Sequence, residues 1–570
     1  MTVRPLHRAP GAIRLVEADT VGSNGMGNER RRSGPDDPCF AWLFDASVAP
    51  PSRPGLGTIP RAPETGWSPV PTPRRLWIAR GVLLGILLVQ AALSLRLRNG
   101  AFEDEALYLY AGHLEIAHLL NGTSAPGFAS FFSGSPVLYP VLAAAVDAVF
   151  GLGGARALSL LFMLGATASL YALTRLLFNE RAALCAAAIF AVCPSTIFMG
   201  NLATYDAAAV FLLALASWIV IRTRHRTALV TCLLAAPVLA LVVTVKYASL
   251  LFVPTVVALA VLAAFPGRGW PALSRAVLLP VLTGACLVGA LLVAGADAWQ
   301  GVRTTTTARA AGTDRLLDLL EICAWWAGPP LAVAAVGAVL YVWRDRMGEV
   351  PDLRVTVSRK RWWRILLALL LCGSAVLAPT HHMQLHTAVS LHKHIGYGLL
   401  FAAPLAGVGL SRVVGAHFRH PQFGILIWVA VLMSGITLSG ELYLSWPDPH
   451  RLVAALQPEL APGKRYLVEN SWPPQYYLRD QTEPWQWTST YAISYPAGDG
   501  RALSGREGYV AALDAGHFDV IVLDGSRTPA LDKELIAKLR LDPRYRLLGV
   551  VPHESWTGTG DYRIWVKNPA

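Results

Sequence analysis

Long apolar segments separated by short polar ones dominate the chain from residue 76 to residue 440. Most of them have roughly the 17–25 residues that an α-helix needs to cross a lipid bilayer. The pattern therefore predicts an α-helical polytopic membrane protein. The predicted spans are residues 76–95, 156–177, 182–200, 207–221, 227–245, 248–265, 276–296, 323–343, 364–379, 395–411 and 422–440.

One further apolar stretch, residues 136–151, is short and contains Asp147. We predict a re-entrant or juxtamembrane helix here rather than a full crossing, because nearly all basic clusters then fall on one side of the membrane. Lys and Arg accumulate in cytoplasmic loops, so this side is the cytoplasm. The charge pattern thus predicts eleven spans and a cytoplasmic N-terminus. The basic loops are residues 179–181, 222–226, 266–275, 343–364 and 411–420.

The two ends of the chain differ from its apolar middle. Residues 1–75 are rich in Pro, Gly and Arg and predict a disordered cytoplasmic tail. Residues 76–442 form the predicted membrane domain, and residues 443–570 a small extracytoplasmic α/β domain, since strand-like and helical patterns alternate there. The strand-like runs are residues 465–470, 518–524, 545–551 and 562–568, and the helical patterns are residues 505–515 and 530–540.

Composition supports this class and narrows the function. The chain is 54% hydrophobic and only 15% charged, less charge than soluble proteins carry. Basic cytoplasmic loops account for the net charge of +12, so no nucleic-acid partner is predicted. The predicted spans hold almost no ionisable residue away from their ends, which argues against an ion-coupled transporter. The seven cysteines show neither metal-ligand spacing nor a disulfide framework.

Ionisable and polar side chains from distant segments collect instead at the predicted outer face. Residues 102–122 form an acidic amphipathic segment that begins with the adjacent carboxylates Asp104 and Glu105. Acids and bases gathered at one membrane surface suit a site for an anionic lipid headgroup and a polar acceptor. The other candidates are Tyr205, Asp206, Lys246, Arg303, Arg309, His392, Lys393 and His394.

Each candidate also has a purely structural interpretation. Asp104 and Asp206 stand where a helix N-cap is expected. Lys246 lies between two apolar runs and is placed to extend its ammonium group to the membrane interface. The i, i+4 pair His382 and His386 has a spacing that suits a metal on a helix, although interfacial polar side chains are the favoured interpretation.

Four segments resemble the GT-C superfamily of polyprenyl-phosphate-sugar-dependent glycosyltransferases. They are DEALYLYAGHLE at 104–115, residues 155–216, LALVVTVKYASLLFVP at 239–254, and SLHKHIGYGLLFAAPLAG at 390–407. The nearest branches are the protein O-mannosyltransferases and the bacterial lipid A aminoarabinose transferase. The chain departs from the family at Ser135-Pro136, where a Lys-Pro pair is frequent.

The resemblance implies a GT-C-like fold and a membrane glycosyltransferase. It implies transfer of a sugar from a polyprenyl-phosphate carrier, at the extracytoplasmic face, to an unknown glycan, lipid or protein acceptor, with inversion at the anomeric carbon. Asp104 is the predicted base, and Glu105 and Asp206 are predicted to position sugar or acceptor hydroxyls. Lys246 is predicted to neutralise the leaving phosphate, with Tyr205 as a further binding residue. Weaker phosphate candidates are Arg303, Arg309, His392, Lys393 and His394.

Cofactor use and function class stay open within this interpretation. Some GT-C relatives use a divalent metal and others do not; a metal-independent reaction is favoured here, with no metal ligands predicted. Membrane lipids are the remaining expected partners. The alternative functions are a transporter or flippase for lipid-linked saccharides and a non-enzymatic membrane scaffold.

Overall fold

The structure is a computed structural model that describes residues 73–309, 311–343, 361–415, 419–496, 501–556 and 558–569. The predicted tail over residues 1–75 lies almost entirely outside the described residues, as does most of the predicted basic loop at 343–364.

Helices make up the membrane domain. In chain order they are α1 Pro73–Ser94, α2 Glu103–Asn121, α3 Tyr139–Leu177, α4 Glu180–Ala191, α5 Pro194–Met199, α6 Tyr205–Arg222, α7 Ala228–Val245, α8 Val253–Arg268, α9 Ser274–Thr305, α10 Leu316–Trp343, α11 Arg361–Gly373, α12 Leu377–Gln384, α13 Leu391–Val414 and α14 Pro421–Tyr443.

Ten helical segments of the described residues are long and apolar enough to cross a membrane. The predicted span at 182–200 differs, because it consists of two shorter helices, α4 and α5. The break falls at Cys193, whose extended backbone (φ −65°, ψ 142°) precedes Pro194. A residue before proline is driven out of the helical region, so the apolar run cannot continue as one helix.

The apolar stretch at 136–151 forms the first part of α3. The helix has 39 residues and is interrupted at Gly151, whose φ is 64°. At 1.5 Å per residue it is about 58 Å long, nearly twice the hydrocarbon thickness of a bilayer. Asp147 is buried here, with its carboxylate 2.7 Å from His113 Nε2 and accepting a hydrogen bond from the Tyr476 hydroxyl at 2.6 Å. The segment before Gly151 therefore packs against residues outside the spans, as expected of a juxtamembrane helix.

The C-terminal region is an α/β domain, as the alternating pattern predicts. A five-stranded sheet has the order β2-β1-β5-β7-β6, with β1 parallel to β2 and β5, and β7 antiparallel to β5 and β6. Four of these strands coincide with the predicted strand-like runs. Strands β2, β3 and β4 are only two or three residues long, too short for a periodic signal. The elements are α15 His450–Leu456, β1 Tyr466–Val468, α16 Trp472–Tyr477, β2 Trp487–Thr488, β3 Ser494–Pro496, β4 Ala502–Ser504, α17 Gly505–Asp514, β5 Val520–Leu523, α18 Pro529–Leu541, β6 Tyr545–Ser555 and β7 Gly558–Lys567.

This domain is bound to the segment that leads into α2. The Tyr477 hydroxyl accepts a hydrogen bond from the Ala101 backbone N–H at 2.9 Å. The Arg527 guanidinium lies 2.7 Å from the Glu103 carboxylate. The α/β domain is thereby held against the first turn of α2, where the predicted catalytic carboxylates lie.

Glu105 fixes that first turn from within. Its side chain is completely buried, and its carboxylate forms a two-pronged ion pair with Arg156 of α3 at 2.8 and 2.6 Å. The same carboxylate accepts hydrogen bonds from the backbone N–H groups of Phe102 and Ala203. Arg156 also donates to the carbonyls of Asn99 and Gly100. Glu105 thus joins the loop before α2, α3 and the loop before α6.

We expect Glu105→Gln to destabilise the protein rather than to impair chemistry alone. The Gln side chain lacks the negative charge that balances buried Arg156. Its NH₂ group would also replace one of the two acceptor oxygens and face N–H donors, with which it cannot form hydrogen bonds. Removal of one partner from a buried ion pair typically costs about 3–5 kcal/mol. Thermal unfolding of the purified protein should show a lower midpoint for Glu105→Gln than for Glu507→Gln, which makes the same change at an exposed position of α17. An inactive Glu105→Gln protein with unchanged stability would instead support the predicted positioning role of this residue in catalysis.

Candidate active site

Two carboxylates and two ammonium groups from four distant segments meet at one end of the helices. Lys393 Nζ lies 2.7 Å from Asp104 Oδ2 and 3.6 Å from Asp206 Oδ2. Lys246 Nζ lies 3.7 Å from Asp206 Oδ1. Asp206 is fully buried, whereas the Asp104 side chain is 31% exposed. Asp206 therefore forms the centre of this group of four charges, and Asp104 is its accessible edge.

The start of α2 sets the direction of Asp104. Phe102 is the N-cap residue, so the prediction of Asp104 as the cap was wrong. Asp104 is the second helical residue, in the first turn, where the helix dipole favours a negative charge. Glu105 points into the protein and Asp104 towards Lys393. Adjacent residues on a helix point about 100° apart, which separates the two carboxylates that the sequence places side by side.

Lys246 is placed by a contact between residues 133–135 and the junction that follows α7. The backbone N–H of Ser135 donates to Thr244, and that of Tyr247 donates to Ser133. A Cβ atom on Gly134 would lie only 2.1 Å from the carbonyl oxygen of Val245, so only glycine permits this approach. The contact brings Lys246 Nζ to 3.1 Å from the Ser133 hydroxyl oxygen.

Asp206 is held by side chains from α6 and α13. Thr204 occupies the N-cap position of α6, so Asp206 is not the cap, and the Thr204 hydroxyl donates to Asp206 at 3.2 Å. The Tyr397 hydroxyl donates to the other carboxylate oxygen at 3.2 Å. Tyr397 follows Lys393 by four residues on α13 and shares its helix face. One face of α13 thus supplies both a cation and a hydrogen-bond donor to Asp206.

Tyr205 extends this network beside Asp206. Its hydroxyl accepts a hydrogen bond from the Tyr108 hydroxyl at 2.6 Å and lies 2.5 Å from the Ser133 hydroxyl. Lys246 Nζ lies 4.4 Å from the centre of the Tyr205 ring, within the range of a cation–π interaction. The buried Tyr205 ring therefore packs against the Lys246 ammonium group and helps to hold it in place.

Small-molecule sites are typically cavities of about 300–1,000 Å³, and one of about 670 Å³ opens beside these charges. We call it cavity A. Asp104, Lys246 and Arg309 contribute charged groups to its wall. Polar and aromatic groups come from Tyr108, Ser133, Tyr247, His381, His382, His394 and Tyr397, and apolar groups from Leu250, Leu251, Phe252, Pro254 and Ala378.

Two histidines form a pair in this wall. His382 Nε2 lies 2.8 Å from His394 Nδ1, and His382 Nδ1 lies 2.8 Å from the carbonyl oxygen of Thr387. His394 Nε2 is buried and has no hydrogen-bond partner within the described residues. An unpaired buried imidazole nitrogen costs free energy unless a ligand or water pairs with it. Because His382 Nδ1 faces a carbonyl and must donate to it, a neutral His382 accepts at Nε2 from His394 Nδ1. His394 Nε2 is then a hydrogen-bond acceptor, which suits a hydroxyl group in cavity A.

The structure does not bring all predicted residues to cavity A. Glu105 is absent from its wall because all its acceptor positions face Arg156 and backbone N–H groups. His392 contacts the rings of Phe198 and Trp326 instead. Arg303 is exposed on α9 and does not line the cavity. Glu105, His392 and Arg303 are therefore not brought to cavity A. The buried predicted residues Tyr205, Asp206 and Lys393 lie next to its lining residues rather than in the lining itself.

Several site residues were missing from the predicted set. Tyr397, Tyr108 and Ser133 lie in or beside apolar or small-residue runs, where they resemble ordinary packing residues. Of these, only Tyr397 could have been predicted from the sequence, because it follows Lys393 by four residues and so lies on the same helix face. The contact of Ser133 with Lys246 joins residues that are far apart in sequence, and no local pattern encodes it.

Within the described residues, one group of three side chains has carboxylate oxygens close enough together to bind one metal ion. The three residues are Glu469, Asp524 and Asp532 of the α/β domain. This group is separate from the predicted site residues. The Glu469 carboxylate accepts hydrogen bonds from the backbone N–H groups of Asp524, Gly525, Arg527 and Thr528. Its oxygens thus already hold the loop after β5 in place, and we assign no metal to it.

A family model described as dolichyl-phosphate-mannose-protein mannosyltransferase matches residues 135–293. This range includes Asp206 and Lys246. No match was found among curated proteins.

Solved structures of similar fold belong to the same superfamily. ArnT from Cupriavidus metallidurans bound to undecaprenyl phosphate has 13% sequence identity and a TM-score of 0.53, with 85% of this chain and 98% of ArnT covered. The oligosaccharyltransferase of Archaeoglobus fulgidus in the apo form has 13% identity and a TM-score of 0.52, with 85% and 75% covered. The family match over residues 135–293 and the similar folds confirm the predicted resemblance: the chain is a multi-pass membrane protein with the fold of GT-C glycosyltransferases, a class that takes sugars from lipid-linked donors.

Proposed function

We propose that cavity A binds a polyprenyl-phosphate-linked hexose or pentose and that the enzyme transfers this sugar to an acceptor hydroxyl at the extracytoplasmic face. The observation that carries the proposal is the convergence of Asp104, Asp206, Lys246 and Lys393 beside one cavity. Burying Asp206, Lys246 and Lys393 is costly unless these charges pair, so their placement reflects a use for them. The transporter and scaffold alternatives do not explain this convergence.

The phosphate end of the donor fits the side of cavity A that carries Lys246. The ammonium group and the Ser133 hydroxyl offer hydrogen bonds there, and Arg309 adds positive charge. Preorganised cations and donors stabilise the charge that develops on a leaving phosphate. Asp104 and Asp206 are already neutralised by Lys393 and Lys246, so this residue set favours an anion over a divalent cation.

The apolar side of cavity A suits the polyprenyl chain. Leu250, Leu251, Phe252 and Pro254 line it, and Leu250 is more than half exposed. This segment joins α7 to α8 at the level of Lys246. A lipid whose phosphate contacts Lys246 would therefore extend its chain along an apolar wall towards the surrounding bilayer. The binding of undecaprenyl phosphate by ArnT supports this assignment.

Asp104 is the proposed catalytic base. The acceptor oxygen attacks the anomeric carbon, a new C–O bond forms, and the bond from that carbon to the phosphate oxygen breaks with its electron pair leaving on the lipid phosphate. The acceptor proton passes to Asp104, which is the accessible carboxylate of the group. Lys393 keeps this carboxylate ionised and oriented before the acceptor arrives. In-line attack on the face opposite the phosphate inverts the anomeric configuration.

The orientation in the membrane is also a proposal. Arg275 donates hydrogen bonds to the carbonyls of Arg224 and Arg226, just beyond the end of α6 that lies opposite Asp206. The 18 residues of α6 separate these ends by about 27 Å. Because basic clusters favour the cytoplasm, Asp206, cavity A and the α/β domain would face outside.

Asp104→Asn should leave the fold intact and abolish most transfer, because an amide cannot accept a proton at neutral pH. General-base removal typically costs about 10²–10⁴ in rate. The measurement is release of labelled sugar from a polyprenyl-phosphate donor, with thermal stability recorded beside it. Asp480→Asn is the matched control, since Asp480 is exposed and distant from cavity A. Transfer by Asp104→Asn at the control rate would exclude Asp104 as the base.

Lys246→Ala should slow transfer and weaken donor binding, since the leaving phosphate loses its nearest cation. Lys246→Arg should keep part of the activity because it keeps the charge in a different shape. Transfer rate and binding of undecaprenyl phosphate are both measured, and Lys533→Ala in exposed α18 is the control. If Lys246→Ala turns over normally in membranes, Lys246 serves only to anchor α7 at the interface.

Reporter fusions test the orientation. A reporter active only outside the cytoplasm, fused after Lys567, should give signal, and one fused before Pro73 should not. A fusion within the loop at 222–226 should behave like the N-terminal one. A cytoplasmic signal from the C-terminal fusion would reverse the proposed sidedness of cavity A.

A further inference from the structure

A second cavity, of about 440 Å³, lies where the α/β domain meets the start of α2. We call it cavity B. Its domain side is formed by the residues that follow β1 and β5, namely Glu469, Asn470 and Asp524–Arg527. These two strands are parallel, and ligands of open α/β sheets characteristically bind outside the carboxyl ends of parallel strands. Its opposite side includes Phe102, Glu103 and Trp446.

Cavity B carries polar atoms that no described residue satisfies. Asn470 Oδ1 and both ring nitrogens of His553 are buried without a hydrogen-bond partner within the described residues. His553 Nε2 lies 3.5 Å from Asp524 Oδ2, beyond a good hydrogen bond. Buried polar groups are normally paired. These three atoms therefore mark positions where a ligand with its own hydroxyl groups would bind.

The charge of the cavity excludes some ligands. Glu103, Glu469 and Asp524 line it, against the single guanidinium of Arg527. Burial lowers the pKa of His553, so this ring adds no positive charge at neutral pH. Although burial alone would raise the pKa of Glu469, hydrogen bonds hold it at about 2, whereas burial and Glu469 raise the pKa of Asp524 to about 7. A ligand with phosphate groups would meet net repulsion here.

Cavity B and cavity A share the first turn of α2. Glu103 lines cavity B and the next residue, Asp104, lines cavity A. Arg527 holds Glu103 by an ion pair of 2.7 Å, which fixes the distance between the domain and this turn. A molecule bound in cavity B thus lies against the helical turn that carries the carboxylate proposed to take its proton.

We infer that cavity B binds the uncharged saccharide end of the acceptor. The Asp524 carboxylate, the Asn470 amide and the His553 imidazole supply hydrogen-bond partners for sugar hydroxyls, and Trp446 and Tyr562 add aromatic rings to the lining. The inference rests on the proposed function, since it names the substrate class that the enzyme glycosylates. An anionic sugar is disfavoured by the carboxylates, and binding of a peptide is an outcome that the experiment below distinguishes.

Saturation-transfer NMR on the purified full chain in nanodiscs, without donor, tests this directly. The ligands are methyl glycosides of glucose, mannose, galactose and arabinose at 10 mM each, glucose 1-phosphate, and the peptide N-acetyl-threonine-N-methylamide. Two variants alter the cavity: Ser526→Trp, which fills it from an exposed position, and Asn470→Ala, which removes an unpaired oxygen without breaking a hydrogen bond of the fold. Ser504→Trp, exposed on β4 and distant from the cavity lining, is the matched control.

We expect at least one neutral glycoside to give saturation transfer with wild type and with Ser504→Trp, and a several-fold loss with Ser526→Trp and Asn470→Ala. No signal from any neutral glycoside, a signal that Ser526→Trp leaves unchanged, or stronger binding of the sugar phosphate or the peptide would each overturn the inference. Because no donor is present, the result is independent of transfer. If the protein binds a glycoside but releases no sugar from any labelled polyprenyl-phosphate donor, cavity B is a saccharide site and the proposed glycosyltransferase function is wrong.

Discussion

The pairing of Lys393 with both Asp104 and Asp206 is the interaction on which the site depends. Lys393 is buried, and a buried ammonium group without a partner costs several kcal/mol. Its two carboxylate partners come from α2 and α6, so the cost of separating them keeps three helices in register at the ends that carry these charges. Lys246 adds a fourth charge and connects α7 to the same group. The stability of this end of the protein and the placement of its chemistry therefore have one origin.

Asp104 and Asp206 differ in a way that assigns them different tasks. Asp206 is fully buried and bound by Thr204, Tyr397, Lys246 and Lys393. Such a carboxylate has no room to receive an acceptor, and it serves to hold the two cations. Asp104 has one cationic partner and an accessible face. Glu105 completes the contrast, since its ion pair with Arg156 fixes the helix that presents Asp104.

Sequence periodicity predicted the class of fold because bilayer crossing imposes a length and a composition on each helix. It also predicted that Asp104, Asp206, Lys246 and Lys393 gather at one surface, because each stands at the end of an apolar run. Periodicity did not show which way these residues point. His392 and His394 are two positions apart and face different neighbours, and Glu105 turns inward while Asp104 turns outward. The tight approach at Gly134 and the break at Pro194 depend on tertiary packing and local backbone geometry that an apolar run does not reveal.

The position of the donor phosphate tests the central claim most directly. A cryo-electron microscopy structure of the full chain in nanodiscs with undecaprenyl phosphate would locate it. We expect the phosphate in cavity A, within hydrogen-bond distance of Lys246 Nζ, with Asp104 still accessible on the far side of the anomeric position. A phosphate bound elsewhere, with Lys246 still directed at Ser133 and Asp206, would contradict the assignment of cavity A as the donor site.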